Sequence, residues 1–474
     1  MGLFGFKLVR EKRNASAALS NKRHYEAADK GRRGKSFRLA RHTGPNVEIA
    51  AALTELRSRS RLMARNNGWC KRAIEAVVKH TIGEGIRPAP IIDKINKEKR
   101  TELMVRIKKI WRNWAETTVC DWYGKSNLYG LQELAMRSIV EGGDMIVVLR
   151  RVKDGDVPIK LQLCEGDFID HSKKGKNDKG VVRLGVQFSN DGELLGYWLH
   201  SQHPGDGSIF GINVNSEFHS KENVLHVFEL LRIGQVRGVP FGVSSFMKLS
   251  DFGDYEDAQL VKQKIAACFS AFIVGSEMPS EKEDELERLE PGIIERLGTG
   301  ETVEFGNPPV VGDFDNYTLR ILQSIAASYG ITYEMLTMDY SRVNFTSGRM
   351  AKIDVAANFK SWQYNMMVPQ FCAPVWDWFM DACLISGALS QRIETDWTAP
   401  RVQQLDPVKE TNALIMQRSA GMTTLSEIIR ENGRDPDELF REIKEENDLL
   451  AELGIVLKPF IVNEVSNSNH QNSD

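Results

Sequence analysis

Carboxylates, histidines and cysteines are the side chains with which this chain could do covalent or metal chemistry. Two close acidic pairs stand out, Asp154/Asp156 and Asp313/Asp315. A two-metal nuclease needs acids that converge from separate elements. The Asp154-Gly155-Asp156 pair is better explained as the turn of a β-hairpin. His200 and His203 lie three apart beside a Pro-Gly loop, and no Cys or carboxylate pattern joins them along the sequence, so a metal site is a weak expectation there. The six cysteines are Cys70, Cys120, Cys164, Cys268, Cys372 and Cys383. None forms a CxxC pair, and most sit in apolar surroundings, the pattern of buried reduced thiols. A Walker A loop is missing: Gly298-Thr299-Gly300 is too short, has no following Lys and lies between strand-like segments. GxGxxG, HExxH, GxSxG and EF-hand patterns are missing as well. The expectation is a protein without cofactor, metal or catalysis of its own.

Composition agrees with a structural role. The 474 residues are too many for one compact core, and the formal net charge of −2 does not suit a general polyanion binder. The basic residues are concentrated at the start: the first 65 residues hold 16 Lys or Arg against 5 acids. KGRRGKSFRLAR is interrupted by glycine and lacks helical periodicity, so it reads as an exposed arm, either solvated or in contact with nucleic acid or an acidic partner. No apolar run is long enough to cross a bilayer. MGLFGF lacks the features of a signal peptide, and Phe6 stands where myristoylation wants Ser or Thr; the protein is expected inside the cell.

The elements that would position these residues follow from periodicity. Ile49, Leu53 and Leu56 open a helical pattern at Asn46, and a second helix covers Ala73–His80 and breaks at Gly83 and Gly85. Glu98–Thr117 is amphipathic with Trp111 and Trp114 on one face, and Leu131–Glu141 is a fourth helix. The period then falls to about two: MIVVLRR and IKLQLC form one hairpin. VVRLGVQF and LLGYWLH, joined through Asn190–Glu193, form another, and Val224–Glu229 is a further strand. The glycines and Pro240 of RIGQVRGVPFG mark a boundary. Val243–Cys268 reads as one long helix, acidic early and basic late in accord with its dipole. An insertion, 269–313, holds the strand AFIVG and the acidic run EKEDELERLE. A helix follows from Asn316 to Tyr329, so the insertion is a small tip on two helices. After the polar stretch 337–349, a helix from Ser347 to Met367 is limited by Pro369 and Pro374, and a Trp-rich helix reaches Gly387. Trp362, Trp376 and Trp378 are expected in the core or an interface rather than as a base-stacking platform. Short charged helices follow Asp406-Pro407. The fold class is α+β.

Four segments resemble the lambda-type portal proteins of tailed phages, in the right order along roughly residues 40–435: ELRSRSRLMARNNGW (55–69), HVFELLRIGQVRGVPFG (226–242), DFGDYEDAQLVKQKIAA (251–267) and ITYEMLTMDYSRVNFTSGR (331–349). Thr346 departs from the usual Ser, and nothing after about 435 matches. The resemblance implies a mainly helical portal fold with an α/β wing, a two-helix stem and a small α/β clip, assembled as a dodecameric ring around a channel. The implied mapping is a basic arm (1–45), wing (46–242), stem helix 1 (243–268), clip (269–315), stem helix 2 (316–336), tunnel loop (337–349), channel helix and wing return (350–404), then crown and tail (405–474).

The resemblance also implies a role: a portal at one capsid vertex through which double-stranded DNA passes without being read. It would dock the terminase packaging motor, then a head-completion or tail adaptor protein, and touch major capsid and scaffold proteins but no membrane. Its place would be the virion, after assembly in host cytoplasm. The DNA-facing residues would be Asp339, Tyr340, Ser341, Arg342, Asn344, Thr346, Ser347 and Arg349. Glu281, Glu283, Asp284, Glu285 and Glu287 of the clip would be docking candidates. Two alternatives stay open at this point: a metal-dependent nucleic-acid enzyme with unrecognised ligands, and a capsid scaffold component that never meets DNA.

Overall fold

The structure is a computed structural model that describes residues 42–92, 97–153, 155–206, 215–267, 271–274, 302–305, 314–400, 407–432, 434 and 436–455. The basic arm up to residue 41, Cys268, Asp154, Asp313 and the acidic run 281–290 lie outside the described residues.

Helices α1 (Pro45–Asn66) and α2 (Gly68–Ile82) are separated by Asn67, whose side chain caps α2 by accepting from the Cys70 amide. α3 (Lys97–Ala115) and α4 (Leu128–Gly142) follow, and α1, α2 and α4 pack on one another. Trp111 and Trp114 of α3 share a face, as the spacing predicts. They meet Phe379 in a buried aromatic cluster, where Trp111 also contacts Trp376 and the Trp114 indole donates to the Ile159 carbonyl at 3.0 Å.

Strands β2 (Asp144–Arg151), β3 (Ile159–Glu165) and β9 (Val224–Phe228) form an antiparallel sheet of order β3-β2-β9. Because successive strand side chains point to opposite faces, β2 serves two cores. Met145 and Val147 enter the large helical core, while Ile146 and Val148 enter a second one. That second core lies among α1 residues Ile49 and Leu53 and a five-stranded antiparallel sheet, β4 (Gly175–Asn177), β5 (Gly180–Arg183), β6 (Val186–Phe188), β7 (Leu194–His200) and β8 (Ser216–Ser220).

Four expectations about elements need correction. VVRLGVQF is two strands rather than one: Leu184 and Gly185 both take positive φ (52° and 81°), the geometry of a tight hairpin turn between β5 and β6. The segment RIGQVRGVPFG is more than a boundary, since Arg237 is wholly buried. The helix read as far as Tyr329 is α6 (Phe314–Ser328), but the implied stem segment 316–336 is not one helix: α6 stops before Gly330 (φ 68°), and a separate short helix, α7 (Tyr333–Thr337), follows. Pro369 does not end its helix. α8 (Phe345–Ser361) passes without a break through a wider π-helical stretch, Trp362–Cys372, into α9 (Ala373–Ile385). A proline lacks the N–H for an ordinary turn and its ring crowds the preceding one; the wider turn makes room for the ring.

The long helix α5 (Phe246–Ala267) starts after a short 3₁₀ turn at Val243–Ser245. It packs on α6 in antiparallel sense: Lys248 bonds Ser324 at 2.7 Å, whereas Tyr255 meets Phe314 and Tyr317. Between these two helices in sequence, β10 (Ala271–Val274) and β11 (Thr302–Phe305) pair antiparallel. β1 (Arg87–Ile91) pairs with β12 (Glu394–Thr398), returning the chain to its start, and α10 (Pro407–Ser419), α11 (Leu425–Glu431) and α12 (Pro436–Glu452) are the charged helices expected near the end.

Candidate DNA-facing loop and a separate buried cluster

The polar stretch 337–349 divides into a loop and a helix start. Thr332 caps α7, and Met338 ends it in the left-handed region (φ 61°), its amide bonded to the Glu334 carbonyl at 2.8 Å. Asp339 then makes an Asx turn: its Oδ1 accepts the Ser341 amide at 3.0 Å, and its Oδ2 accepts the Tyr333 hydroxyl at 3.4 Å. The Ser341 hydrogen bonds hold this carboxyl below the usual carboxylate range. A Val343–Tyr340 bond of 3.2 Å closes the turn. Asn344 caps α8 in a reciprocal capping box with Ser347, at 2.8 and 3.1 Å. Thr346, Ser347 and Arg349 therefore belong to the first turns of α8 and not to the loop, which corrects the expected boundary. Tyr340, Ser341 and Arg342 are exposed. From behind, Arg72 of α2 donates to the Met335 carbonyl and to the Met338 sulfur, each at 3.1 Å. The loop is thus a short exposed turn with both ends fastened.

Two of the signature segments meet elsewhere, around Asp144 at the head of β2. This carboxylate is fully buried. It accepts from Arg57, from Arg237 Nε at 2.7 Å, from His226 Nε2 at 3.1 Å and from the Gly238 amide at 3.2 Å. Arg57 also donates to the Gly142 carbonyl at 2.7 Å, and Arg237 to the Gly166 carbonyl at 2.5 Å. Burial alone would raise the Asp144 carboxyl. The Arg237 and Arg57 guanidiniums and the His226 bond outweigh it, and the carboxyl stays well below the usual range. Burial lowers His226, so the imidazole is neutral and its Nε2–H is the donor. No Cβ fits at Gly166 or Gly238: one would stand 1.6 Å from Asp144 Oδ1, the other 1.9 Å from the Gly143 carbonyl oxygen. Sequence reasoning missed Asp144 because nothing around it resembles a motif. The one available signal was an acid beginning an otherwise apolar central strand, which calls for a buried cation.

The structure also revises the His203 expectation, since it brings Glu165 and Asp167 beside that ring. Arg61 Nη2 lies 2.5 Å from both carboxylates, so a guanidinium already supplies the positive charge there. Cys70, Cys120, Cys164, Cys372 and Cys383 are buried free thiols, as expected. Trp362 and Trp376 are buried, and Trp378 is half-buried with its indole donating to the Glu222 carbonyl at 3.0 Å. The clip candidates Glu281, Glu283, Asp284, Glu285 and Glu287 lie outside the described residues.

The sequence model described as "Phage portal protein, lambda family" matches residues 30–363, a span that contains Arg57, Asp144, Arg237 and the 338–344 loop. The chain belongs to this family. Among its relatives are the "Probable portal protein" of Halomonas phage phiHAP-1, 23% identical over 84% of this chain and 81% of the relative, and "Portal protein B" of Escherichia phage lambda, 23% identical over 90% of each. The "Portal protein" of Escherichia phage N15 is 23% identical over 89% of each. Among solved structures, a chain from the neck of a native gene transfer agent particle aligns with TM-score 0.49 and 14% identity, covering 78% of this chain and 91% of its own. This phage portal protein has the α+β architecture described above. Its signature segments 55–69 and 226–242 meet at the Asp144 cluster, through Arg57 from the first and His226, Arg237 and Gly238 from the second.

Proposed function

We propose that this chain assembles into a ring, a dodecamer by family resemblance, that forms the DNA entry and exit channel at one capsid vertex of the virion. In this reading α5 and α6 are the stem helices, the segment between them is the clip, the Met338–Asn344 loop faces the duplex, and α8 lines the channel. The observation that carries the reading is that loop. It exposes Tyr340, Ser341 and Arg342 at the head of the continuous α8–α9 helical run. A conduit must not hold its cargo: each phosphate contact releases counterions and tightens binding, so a loop with one exposed arginine suits sliding. Thr346, Ser347 and Arg349 would flank the loop on the first turns of α8.

The energy for packaging then comes from a partner, a terminase motor docking at the clip, and a head-completion or tail adaptor protein later takes the same end. Assembly with capsid and scaffold proteins would take place in host cytoplasm. The chain would carry no catalytic activity.

Electron microscopy of purified protein tests the ring: particles with a central hole and about twelve-fold symmetry are expected. A second sample, with Tyr340-Ser341-Arg342 replaced by Gly-Ser-Gly, tests the loop. It should form the same rings while packaging or retention of DNA fails; normal packaging would remove the loop from the mechanism. Metal-dependent DNA cleavage or ATP hydrolysis by pure protein, abolished by single acidic substitutions, would overturn the absence of catalysis.

A further inference from the structure

The loop Glu229–Gly234 is held in one shape and yet presents large aliphatic side chains to solvent. Its polar groups are tied inward. The Gln235 side-chain oxygen accepts the Leu231 and Arg232 amides at 3.1 and 3.2 Å. Asn46 donates to the Gly234 carbonyl at 2.8 Å and accepts the Val236 amide at 2.9 Å. Arg232 pairs with Glu48 at 2.9 Å, and the Glu229 carboxylate accepts the Trp362 indole N–H at 2.9 Å. Outward stand Leu230 and Leu231, 60% and 63% exposed, and Ile233, 98% exposed. A monomer gains nothing by fixing three aliphatic side chains in water, and a rigid apolar knob is the mark of a contact surface. Because its one cation, Arg232, is paired with Glu48 within the subunit, the knob has no free positive charge with which to hold DNA. It suits the charge-poor centre of a protein interface.

A second unpartnered apolar surface lies on α8. Met350 and Ile353 are both more than half exposed, and with Ala357 they line one side of the helix at spacings of three and four. Val355 and Phe359, on the opposite side, are buried. A closed ring of identical subunits uses two different patches per subunit, each meeting the other on a neighbour. Their heights are also linked. The knob is fastened at Trp362, nine residues from Ile353 on the same helical run. At 1.5 Å per residue that is about 14 Å. Rotation about a ring axis preserves height, so the knob's fastening point on one subunit and the stripe on its neighbour differ in height by no more than about 14 Å.

We propose that Leu230, Leu231 and Ile233 dock on the Met350–Ala357 face of α8 in an adjacent copy of this chain, and that this contact closes the ring. The proposal rests on the ring assembly proposed above and adds the residues that make it.

The test uses the full chain and two kinds of variant. In Ile233→Asp the charge falls on a solvent-exposed side chain, so helical circular dichroism and melting temperature should stay at wild-type values while sedimentation shifts from ring to monomer. Separately, Ile233→Cys and Ile353→Cys are made singly and together and oxidised. The double variant should give a ladder of covalent oligomers on a denaturing gel, and neither single variant should. A wild type that sediments as a monomer overturns the ring and this contact with it. A wild-type ring accompanied by an intact Ile233→Asp ring overturns the contact alone. So does a double variant without a ladder, and so do dimers from Ile233→Cys alone, which would mean a two-fold contact.

Discussion

Asp144 gathers two guanidiniums and an imidazole in the interior of the protein. A buried carboxylate held by two guanidiniums and an imidazole is not a gain over an apolar core, but removing one partner strands the others. Asp144→Asn leaves Arg237 buried without a counter-charge and Arg57 with only the more distant Asp167, at 3.7 Å, and should cost about 3–5 kcal/mol, read from the midpoint of a urea unfolding curve. Arg237→Lys should fail to restore the fold, since one ammonium cannot reach both Asp144 and the Gly166 carbonyl as the planar fork does. The same cluster makes stability depend on pH. His226 is lowered by burial, so its contribution is present above the ordinary histidine value of about 6.5 and falls as the pH drops below it. Asp144 is lowered as well, so its contribution is present above about pH 4 and is lost on further acidification through its folded value. Melting temperature should therefore decline steadily from pH 7 towards pH 4. His226→Gln, which keeps a donor for the carboxylate, should flatten the upper part of that decline; an unchanged profile would mean that His226 is not neutral in the fold.

At the scale of elements, the loop before α8 is shaped by its two ends. The Asn344–Ser347 capping box fixes where the helix starts, and losing it through Asn344→Ala should cost about 1 kcal/mol. Limited proteolysis should then cut faster between Met338 and Asn344, with little change elsewhere. Gly330 separates α6 from α7 in a left-handed conformation, and an added Cβ would stand 3.2 Å from the Asn358 amide nitrogen and the Trp362 ring. Gly330→Ala should therefore destabilise by about 1 kcal/mol or more, checked by thermal unfolding. Some helix starts and stops were legible, at Asn46 and at Gly83 and Gly85; the caps Asn67 and Asn344 and the stop at Gly330 are equally local signals that sequence reasoning missed. The π-helical passage across Pro369 was not legible. Met366, Met367, Phe371 and Cys372 are all buried there, and this packing keeps the helix going through a residue that would end it in isolation.

In the whole molecule, β2 is the shared wall of two cores, and the helical run from Phe345 to Ile385 is anchored along its length. His80 stacks on Phe359, the Phe228 amide donates to the Gln370 side chain at 3.0 Å, and the Trp376 indole donates to the Ile393 carbonyl at 2.9 Å. In the proposed reading, a loop at the head of such an anchored run makes repeated weak contact with a passing polymer. Purified rings should accordingly bind duplex DNA weakly, without sequence preference and with a steep dependence on salt. Arg342→Ala should lower both the affinity and the salt slope in a binding titration; sequence-selective binding at physiological salt would be incompatible with a conduit.

Periodicity, turn residues and the four signature segments sufficed for the fold class, for most helices and strands and for the family, because each is written over a few neighbouring residues. They also sufficed for the exposed Tyr340–Arg342 turn, though not for its end at Asn344. Only the tertiary structure showed that segments 55–69 and 226–242 are joined through Asp144, that Arg61 sits between the carboxylates beside His203, and that Ile233 protrudes. The physical reason is distance along the chain. A buried charge takes its partners from wherever the fold brings them, here from residues 57, 226 and 237, and exposure belongs to the packed surface as a whole.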